Sequence, residues 1–170
     1  MKFLYKSTKN DSAEMNIDEM DIGVFSPGIT RLILNGEKRT FKLLLVRFLF
    51  WISTRGRVKI YYATQNGELV HTSCVIPKCY KFPFLDNEDY EIGPCVTYPK
   101  FRGKGVYPWM LKHICSSIGD EKTVFYMIVD ETNISSIKGI EKAGFVKCGT
   151  VRVSKFIKQY QLERVFVSVE

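Results

Sequence analysis

The sequence predicts a single α/β domain built on a mixed β-sheet. Two observations lead to this fold class: a strand, tight turn and strand pattern around Asn66-Gly67, and an alternation of strands and helices from residue 90 onward. The composition agrees, since 45% of the 170 residues are hydrophobic and 25% are charged. A chain of this length and composition forms one globular domain, here residues 1–170, and is not disordered or of low complexity.

The most apolar stretch is FKLLLVRFLFWIST, residues 41–54. It is short for a membrane span and carries Arg47 near its middle. Apolar residues occupy almost the whole circumference of the helix it would form, which favours a buried helix. The cations that flank it leave a second interpretation open, in which the helix lies on an anionic membrane surface.

Two short runs rich in β-branched and aromatic residues follow, VKIYYAT at 58–64 and ELVHTSCVI at 68–76. The residues between them include Asn66-Gly67, a pair that adopts the positive φ angles of a tight hairpin turn. The two runs are therefore predicted to be antiparallel strands.

A central strand, YEIGPCVTY at 90–98, ends before Pro99 and precedes a helix over 104–118, where apolar residues recur at helical spacing. The continuous apolar run TVFYMIV at 123–129 is typical of a strand buried on both faces. Strand, helix and strand therefore follow one another directly.

A second helix begins after Thr132 or Asn133, either of which can cap it, and runs to about Ala143 before a strand that starts at Phe145. Alternating valines predict one or two closing strands, one of which could run antiparallel. They are Val151, Val153, Val165, Val167 and Val169.

The net charge of +7 favours acidic partners such as phosphates, anionic lipid or nucleic acid. Residues 31–59 alone contain eight cations and one anion, Glu37, so the remainder of the chain is neutral. No motif supports nucleic-acid binding, and we do not expect the protein to bind nucleic acid. The cluster could instead recognise an anionic acceptor, for instance a nucleotide-linked or lipid-linked sugar.

The five cysteines are an odd number and lack the spacing of metal ligands, so neither a disulfide framework nor a metal site is expected. Residues 1–20 lack the apolar core of a secretion signal. Both observations predict a cytoplasmic protein with free thiols.

The loop between the central strand and its helix reads Tyr98-Pro-Lys-Phe-Arg102-Gly-Lys-Gly105-Val-Tyr-Pro. The backbone N–H groups at Gly103 and Gly105, with the positive end of the helix, form a ready site for a pyrophosphate, and Arg102 and Lys104 add cations. A glycine turn of this kind is common, so the motif alone is weak evidence.

With this loop the sequence resembles the GCN5-related N-acetyltransferase (GNAT) superfamily, whose signature is Arg/Gln-x-x-Gly-x-Gly/Ala between a strand and a helix. Here it reads Arg102-Gly-Lys-Gly-Val-Tyr107, and a second family element is matched by Asn133-Ile-Ser-Ser136 and Glu141-Lys-Ala-Gly-Phe145. The resemblance covers about residues 88–150. It implies a mixed, mostly antiparallel sheet with helices on both faces and a central strand–loop–helix site for coenzyme A.

The resemblance also implies roles for individual residues. The backbone of Cys95, Val96 and Thr97 would contact the pantetheine arm of acetyl-CoA, and Asn133 would contact the pantetheine or orient the second helix, with Ser136 in the same channel. Lys142 could reach a phosphate. The pyrophosphate would be wrapped by Arg102, Gly103, Lys104, Gly105, Val106 and Tyr107.

Two residues depart from the family pattern. Tyr107 replaces a Gly or Ala, and Ile140 stands where many members carry the tyrosine that protonates the departing thiolate. Tyr107 is therefore a candidate acid, with Tyr98 or water as alternatives. A member without the acid could also bind the coenzyme with little or no turnover.

Glu91 is the candidate base, because it matches a strand position that some members use and a base must deprotonate the acceptor amine. Strand alternation places it on the same face as Gly93, Cys95 and Thr97. A solvent-facing strand-end glutamate explains the residue equally well. His71 and His113 are expected to be packed or surface residues, and Cys95 a packed thiol rather than an acyl carrier.

The leading prediction is an acetyl-CoA-dependent N-acetyltransferase that acts on an amine of a small-molecule or sugar-like acceptor, with no metal. Its alternatives are a coenzyme A-binding module without turnover and a basic protein that associates with membrane surfaces. The chain could act as a monomer or a homodimer.

Overall fold

The computed structural model describes residues 1–8 and 20–166. Strands and helices alternate along this part of the chain in the order that follows. They are β1 (Lys2–Thr8), β2 (Asp21–Phe25), α1 (Phe41–Ser53), β3 (Lys59–Gln65), β4 (Glu68–Pro77), β5 (Tyr90–Thr97), a 3-10 turn (Pro99–Phe101), α2 (Val106–Ser117), β6 (Val124–Asp130), α3 (Ile134–Lys142), β7 (Val146–Val153) and β8 (Tyr160–Val165).

The strands form one mixed sheet in the order β2-β3-β4-β5-β6-β1-β7-β8. Every neighbouring pair within residues 1–8 and 20–166 is antiparallel except β5 and β6, which run parallel. The α2 helix connects β5 to β6, as a parallel pair requires a crossover. The predicted mixed and mostly antiparallel sheet is confirmed.

Helices cover both faces of the sheet, as predicted. On one face α2 and α3 bury residues such as Met110, Leu111 and Ile140 against Phe125 of β6. On the other face α1 contributes Phe50 to a second cluster with Ile60 and Ile76. The two sides of the central strand β5 therefore face different helices.

The hairpin and the β5–α2–β6–α3–β7 succession are where the sequence places them, within a few residues, and β8, which ends at Val165, closes the sheet antiparallel to β7. Asn66 and Gly67 both have positive φ, at 51° and 76°, as the tight turn requires. One face of β6 is buried and the other half-buried, so its apolar run is covered more on the α2 side. Val167 and Val169 lie outside the described residues.

Two strands were not predicted from the sequence. β1 lies between β6 and β7 and pairs with both, so it is a central strand of the sheet. The charged residues Lys2 and Lys6 and the buried residues Tyr5 and Ser7 do not follow a regular alternation along this strand. The period-two pattern of a strand is therefore hard to recognise in the sequence. β2 is an edge strand that pairs with β3.

The prediction that α1 is buried is wrong. Only Arg47 and Phe50 of this helix are buried, and much of its apolar surface faces outward. The Arg47 guanidinium makes two bonds to the Glu37 carboxylate, at 2.5 and 2.6 Å, and one to the Leu32 carbonyl at 3.1 Å. An apolar circumference could not reveal this, because a single sheet face contacts only one side of a helix. Across residues 1–8 and 20–166, no helix is long and apolar enough to cross a membrane.

Candidate functional site

The parallel strands β5 and β6 are joined at one end and separate at the other. Their ladder contains only Tyr90↔Phe125 and Glu91↔Tyr126. Asp89 closes the joined end, since its carboxylate accepts from the Val124 N–H at 3.1 Å and from the Asp86 N–H at 3.0 Å. Beyond Glu91 the β6-facing edge of β5 is open, so its backbone groups can pair with an extended ligand.

The glycine loop leads from the open end of β5 into α2. Gly103 and Gly105 have φ of 77° and 79°, a left-handed conformation that glycine adopts without strain. A Cβ at either position would meet nothing within 4 Å, so the backbone borders open space. Gly105 caps α2 without a side-chain bond, and the first turn of the helix contains no acidic residue. This end of α2 is thus suited to an anion.

A cavity of about 600 Å³ lies between this loop and the start of α3. Three cations line it: Arg102, Lys138 and Lys142. Arg102 also donates from Nε to the Thr97 carbonyl at 3.0 Å, which holds its side chain beside the end of β5. The arrangement combines backbone donors, a helix N-terminus and positive charge, the chemistry that binds a diphosphate.

Most of the predicted cofactor-binding residues line this one cavity. They are Cys95, Val96, Thr97, Arg102, Gly103, Gly105, Val106, Tyr107, Asn133 and Ser136. Lys104 is not among them, and its ammonium lies 5.6 Å from the centre of the Phe101 ring.

Sequence reasoning missed Ser135, Lys138 and Gly139, which also line the cavity. The spacing of three, four and seven residues between Ser135, Lys138 and Lys142 places them on one face of α3. That spacing was a signal which could have identified them.

Asn133 caps α3. Its side-chain oxygen accepts from the Ser136 N–H at 3.2 Å, which satisfies one of the free N–H groups at the start of the helix. The residue therefore orients the helix, one of the two roles considered for it, and also borders the cavity.

The Tyr107 ring fills the space between α2 and α3. A Cβ on Gly139 would lie 2.5 Å from the ring, so the absence of a side chain at Gly139 makes room for Tyr107. The His71 ring also lies near it, with 5.9 Å between the two centroids. Burial, with smaller contributions from Cys95 and Glu91, raises the pKa of Tyr107 well above its usual range.

A chain of hydrogen bonds surrounds His71, which is fully buried. Its ring nitrogens lie 2.7 Å from the Thr97 and Ser73 hydroxyls, and Ser73 donates to the Cys95 thiol at 3.2 Å. Burial lowers the pKa of His71 to about 4, so the ring is neutral. Because the Ser73 hydroxyl donates its proton to Cys95, it can only accept from the Nε2–H group of His71. The other ring nitrogen, Nδ1, then accepts from the Thr97 hydroxyl. His71 is thus a packed residue, as expected.

The prediction that Glu91 shares a face of the strand with Cys95 and Thr97 is wrong, because β5 contains a β-bulge. β4 and β5 pair as Val75↔Ile92 and Ser73↔Cys95, so two steps on β4 correspond to three on β5. The extra residue reverses the alternation after Ile92. Glu91 therefore shares its face with Gly93, as expected, but lies on the α1 side while Cys95 and Thr97 lie on the α2 side.

The Glu91 carboxyl is buried at the joined end of β5 and β6, next to the split where the two strands separate. Its Oε2 atom has no hydrogen-bond partner among the described residues. Burial raises the pKa of Glu91 to about 8, and the positive charge of Lys81 opposes this shift. A carboxyl with this pKa changes its protonation state close to physiological pH, as a general base requires.

Other groups named from the sequence have structural surroundings. Ile140 is buried in the core, and His113 is half-buried on α2 beside Trp109. The cysteines are free thiols. Within residues 1–8 and 20–166, no group of three or more His, Cys, Asp or Glu side chains could hold a metal ion.

Solved acetyltransferases share this architecture. A GNAT-family acetyltransferase from Colwellia psychrerythraea superposes with a TM-score of 0.55 and 15% identity over 86% of this chain and 52% of its own. A GCN5-related N-acetyltransferase from Sphaerobacter thermophilus gives a TM-score of 0.57 and 14% identity over 86% of this chain and 48% of its own. A functionally unknown conserved protein from Staphylococcus epidermidis gives 0.51 and 13% over 86% and 57%.

This chain thus spans about half the length of the structures that it matches. No protein-family model and no curated protein matches its sequence. At such low identity the likeness concerns the fold, and it confirms the resemblance at that level. The protein has the fold of the GCN5-related N-acetyltransferases.

Proposed function

We propose that this protein is an acetyl-CoA-dependent N-acetyltransferase that acetylates an amine of a small-molecule or sugar-like acceptor. The observation that carries the proposal is the meeting of two features in one cationic cavity: the open edge of β5 and the N-terminus of α2. The proposal includes a cytoplasmic location, which the free thiols favour.

The chain's own groups suit two parts of the coenzyme, its diphosphate and its pantetheine arm. The N–H groups of the Gly103–Tyr107 segment, with Arg102, Lys138 and Lys142, suit the diphosphate. The open edge of β5 at Cys95, Val96 and Thr97 suits the amide-containing pantetheine arm, which can add to the strand as a partner would. Bound acetyl-CoA supplies a thioester, whose carbonyl carbon accepts an amine.

Glu91 is the proposed base. It faces the α1 side of the sheet, whereas the cavity opens on the α2 side, and the gap in the β5–β6 ladder begins directly after this residue. An acceptor amine that approaches from the α1 side would therefore meet the thioester at the split. A cationic amine next to Glu91 favours the ionised carboxylate, which then accepts the amine's proton.

Tyr107 is the proposed acid. Its raised pKa keeps the hydroxyl protonated, so that it can donate a hydrogen bond to the departing thiolate, which takes up the second proton that the acetylated nitrogen releases. Its hydroxyl already interacts with the thiol of Cys95, which lines the same cavity. The buried Ile140 has no proton to offer.

The first experiment measures thermal unfolding with acetyl-CoA, coenzyme A and ATP. Acetyl-CoA at about 100 times its Kd should stabilise the fold by about 2.7 kcal/mol. The double variant Lys138→Ala/Lys142→Ala should lose most of this shift, while the control Lys122→Ala, an exposed cation outside the cavity, should keep it. Equal melting temperatures with and without acetyl-CoA would refute the proposal.

A second function, coenzyme A binding without turnover, is favoured by one observation: the Tyr107 ring occupies space that a Gly or Ala would leave open. Release of free thiol from acetyl-CoA over a panel of amines separates the two functions. Stabilisation by acetyl-CoA without thiol release for any amine would favour the binding module.

A further inference from the structure

The α1 helix presents an unpartnered apolar stripe. Phe41, Leu45, Leu49 and Ile52 are 81, 45, 55 and 53% exposed and recur every three or four residues, which places them on one face. The buried Phe50 lies on the opposite face, against the sheet. Within the described part of the chain, nothing covers this stripe. Contiguous exposed apolar surface of this kind marks an interaction site.

Exposed cations stand at both ends of the stripe. Lys38, Arg39 and Lys42 are at its start, and Arg55 and Arg57 follow its end. The one acidic residue between positions 31 and 59 is Glu37, and its carboxylate is bound by Arg47. The apolar face therefore has a positive border without a compensating acid in this segment.

We propose that α1 docks on an anionic lipid membrane, with its apolar stripe in the headgroup and acyl boundary and its cations on the lipid phosphates. A helix with an apolar face between cations binds such a surface both by burying apolar area and by electrostatic attraction to the lipid phosphates. Phe48 and Trp51 stack at 6.3 Å beside the stripe, and aromatic rings of this kind favour the membrane interface.

Charge argues against a second copy as the occupant. The helix is 13 residues long with cations at both ends, so pairing with its own copy in either direction brings like charges together. An anionic membrane has the complementary charge. The coenzyme cavity opens on the α2 side of the sheet, so docking through α1 leaves it accessible.

The test is sedimentation of the whole chain with lipid vesicles. Vesicles that contain phosphatidylglycerol should bind the protein, and vesicles of phosphatidylcholine alone should bind it much more weakly. Raising the salt concentration should reduce binding, because exposed charges are screened. Equal binding to both kinds of vesicle, or to neither, would overturn the proposal.

Two pairs of variants separate the terms. Leu45→Gln/Leu49→Gln keeps helix propensity and should weaken binding more than about tenfold. Its control, Val153→Thr/Val165→Thr, polarises two exposed strand residues and should bind as the parent does. Arg39→Ala/Lys42→Ala should weaken binding about fivefold for each cation removed. Its control, Lys122→Ala/Arg152→Ala, removes the same charge elsewhere and should have little effect.

Light scattering provides the remaining readout. If the protein self-associates, Leu45→Gln/Leu49→Gln abolishes the association and no vesicle is bound, then α1 is an interface between copies and the membrane proposal fails. Circular dichroism of each variant verifies that it folds. The test does not use acetyl-CoA, so its result is independent of the proposed activity.

Discussion

Glu91 is a residue whose burial sets the proposed reactivity and lowers the stability of the fold. In the folded chain its pKa is about 8, against 4.5 for an unperturbed glutamate. Between these values the folded state binds the proton and the unfolded state does not, so the free energy of unfolding falls as the pH rises through that window. Above the higher value the loss is complete.

The variant Glu91→Gln removes this ionisation and should raise the melting temperature at pH 8 by at least roughly 2–4 °C, or about 1 kcal/mol. Near pH 4, where Glu91 is protonated in both states, the difference should shrink. Thermal unfolding from pH 4 to pH 9 measures it. A constant difference across that range would contradict the assignment of a raised pKa.

The same residue predicts the pH profile of the proposed reaction. The acceptor for this test is an amine whose own charge does not change over the pH range. With it, kcat/KM should rise with pH and level off above the Glu91 pKa of about 8, because the ionised carboxylate is the base. Glu91→Gln should lower kcat by roughly 100-fold or more and remove this limb of the profile. Thiol release measured against pH tests both. An unchanged profile in the variant would exclude Glu91 as the base.

At the level of elements, Tyr107 and Gly139 set the distance between α2 and α3. Gly139→Ala should destabilise the parent by about 1–3 kcal/mol, since the new methyl group overlaps the ring. In a Tyr107→Ala background the same change should stabilise by up to about 1 kcal/mol, because alanine is the better helix former. Urea unfolding of the four proteins gives the cycle, and the same sign in both backgrounds would contradict the packing.

The joined end of the β5–β6 split depends on Asp89. Asp89→Ala leaves two N–H groups, those of Asp86 and Val124, without their acceptor, and should cost about 2–4 kcal/mol. The exposed neighbour Glu88 provides the control Glu88→Ala, which should be close to neutral. Urea unfolding compares the two. Equal stability would mean that the strand pair does not need the carboxylate.

For the molecule as a whole, the five free thiols report global unfolding. Cys74, Cys79, Cys115 and Cys148 are buried, and burial raises the pKa of Cys95 to about 12. Alkylation should therefore be slow in the folded protein and reach all five thiols at the denaturant concentration where tryptophan fluorescence changes. Any of the four buried thiols that reacts natively at the rate of an unfolded peptide would show local opening at its site.

Much of the fold could be predicted because its signals are local. Asn66-Gly67 specifies a turn, Asn133 caps a helix, and Gly103 and Gly105 adopt left-handed φ, each through the conformational preference of a few adjacent residues. β1 escaped prediction because its place between β6 and β7 depends on partners more than a hundred residues away.

The site divides in the same way. Sequence alone determined the order of strand, glycine loop and helix, and with it the segment that borders the cavity, because backbone conformation and helix capping follow from neighbouring residues. Strand pairing and packing place Glu91 and Cys95 on opposite faces of the sheet and leave the apolar stripe of α1 exposed. A bulge is a mismatch between two strands, and exposure is the absence of a packing neighbour, so both depend on contacts between distant parts of the chain.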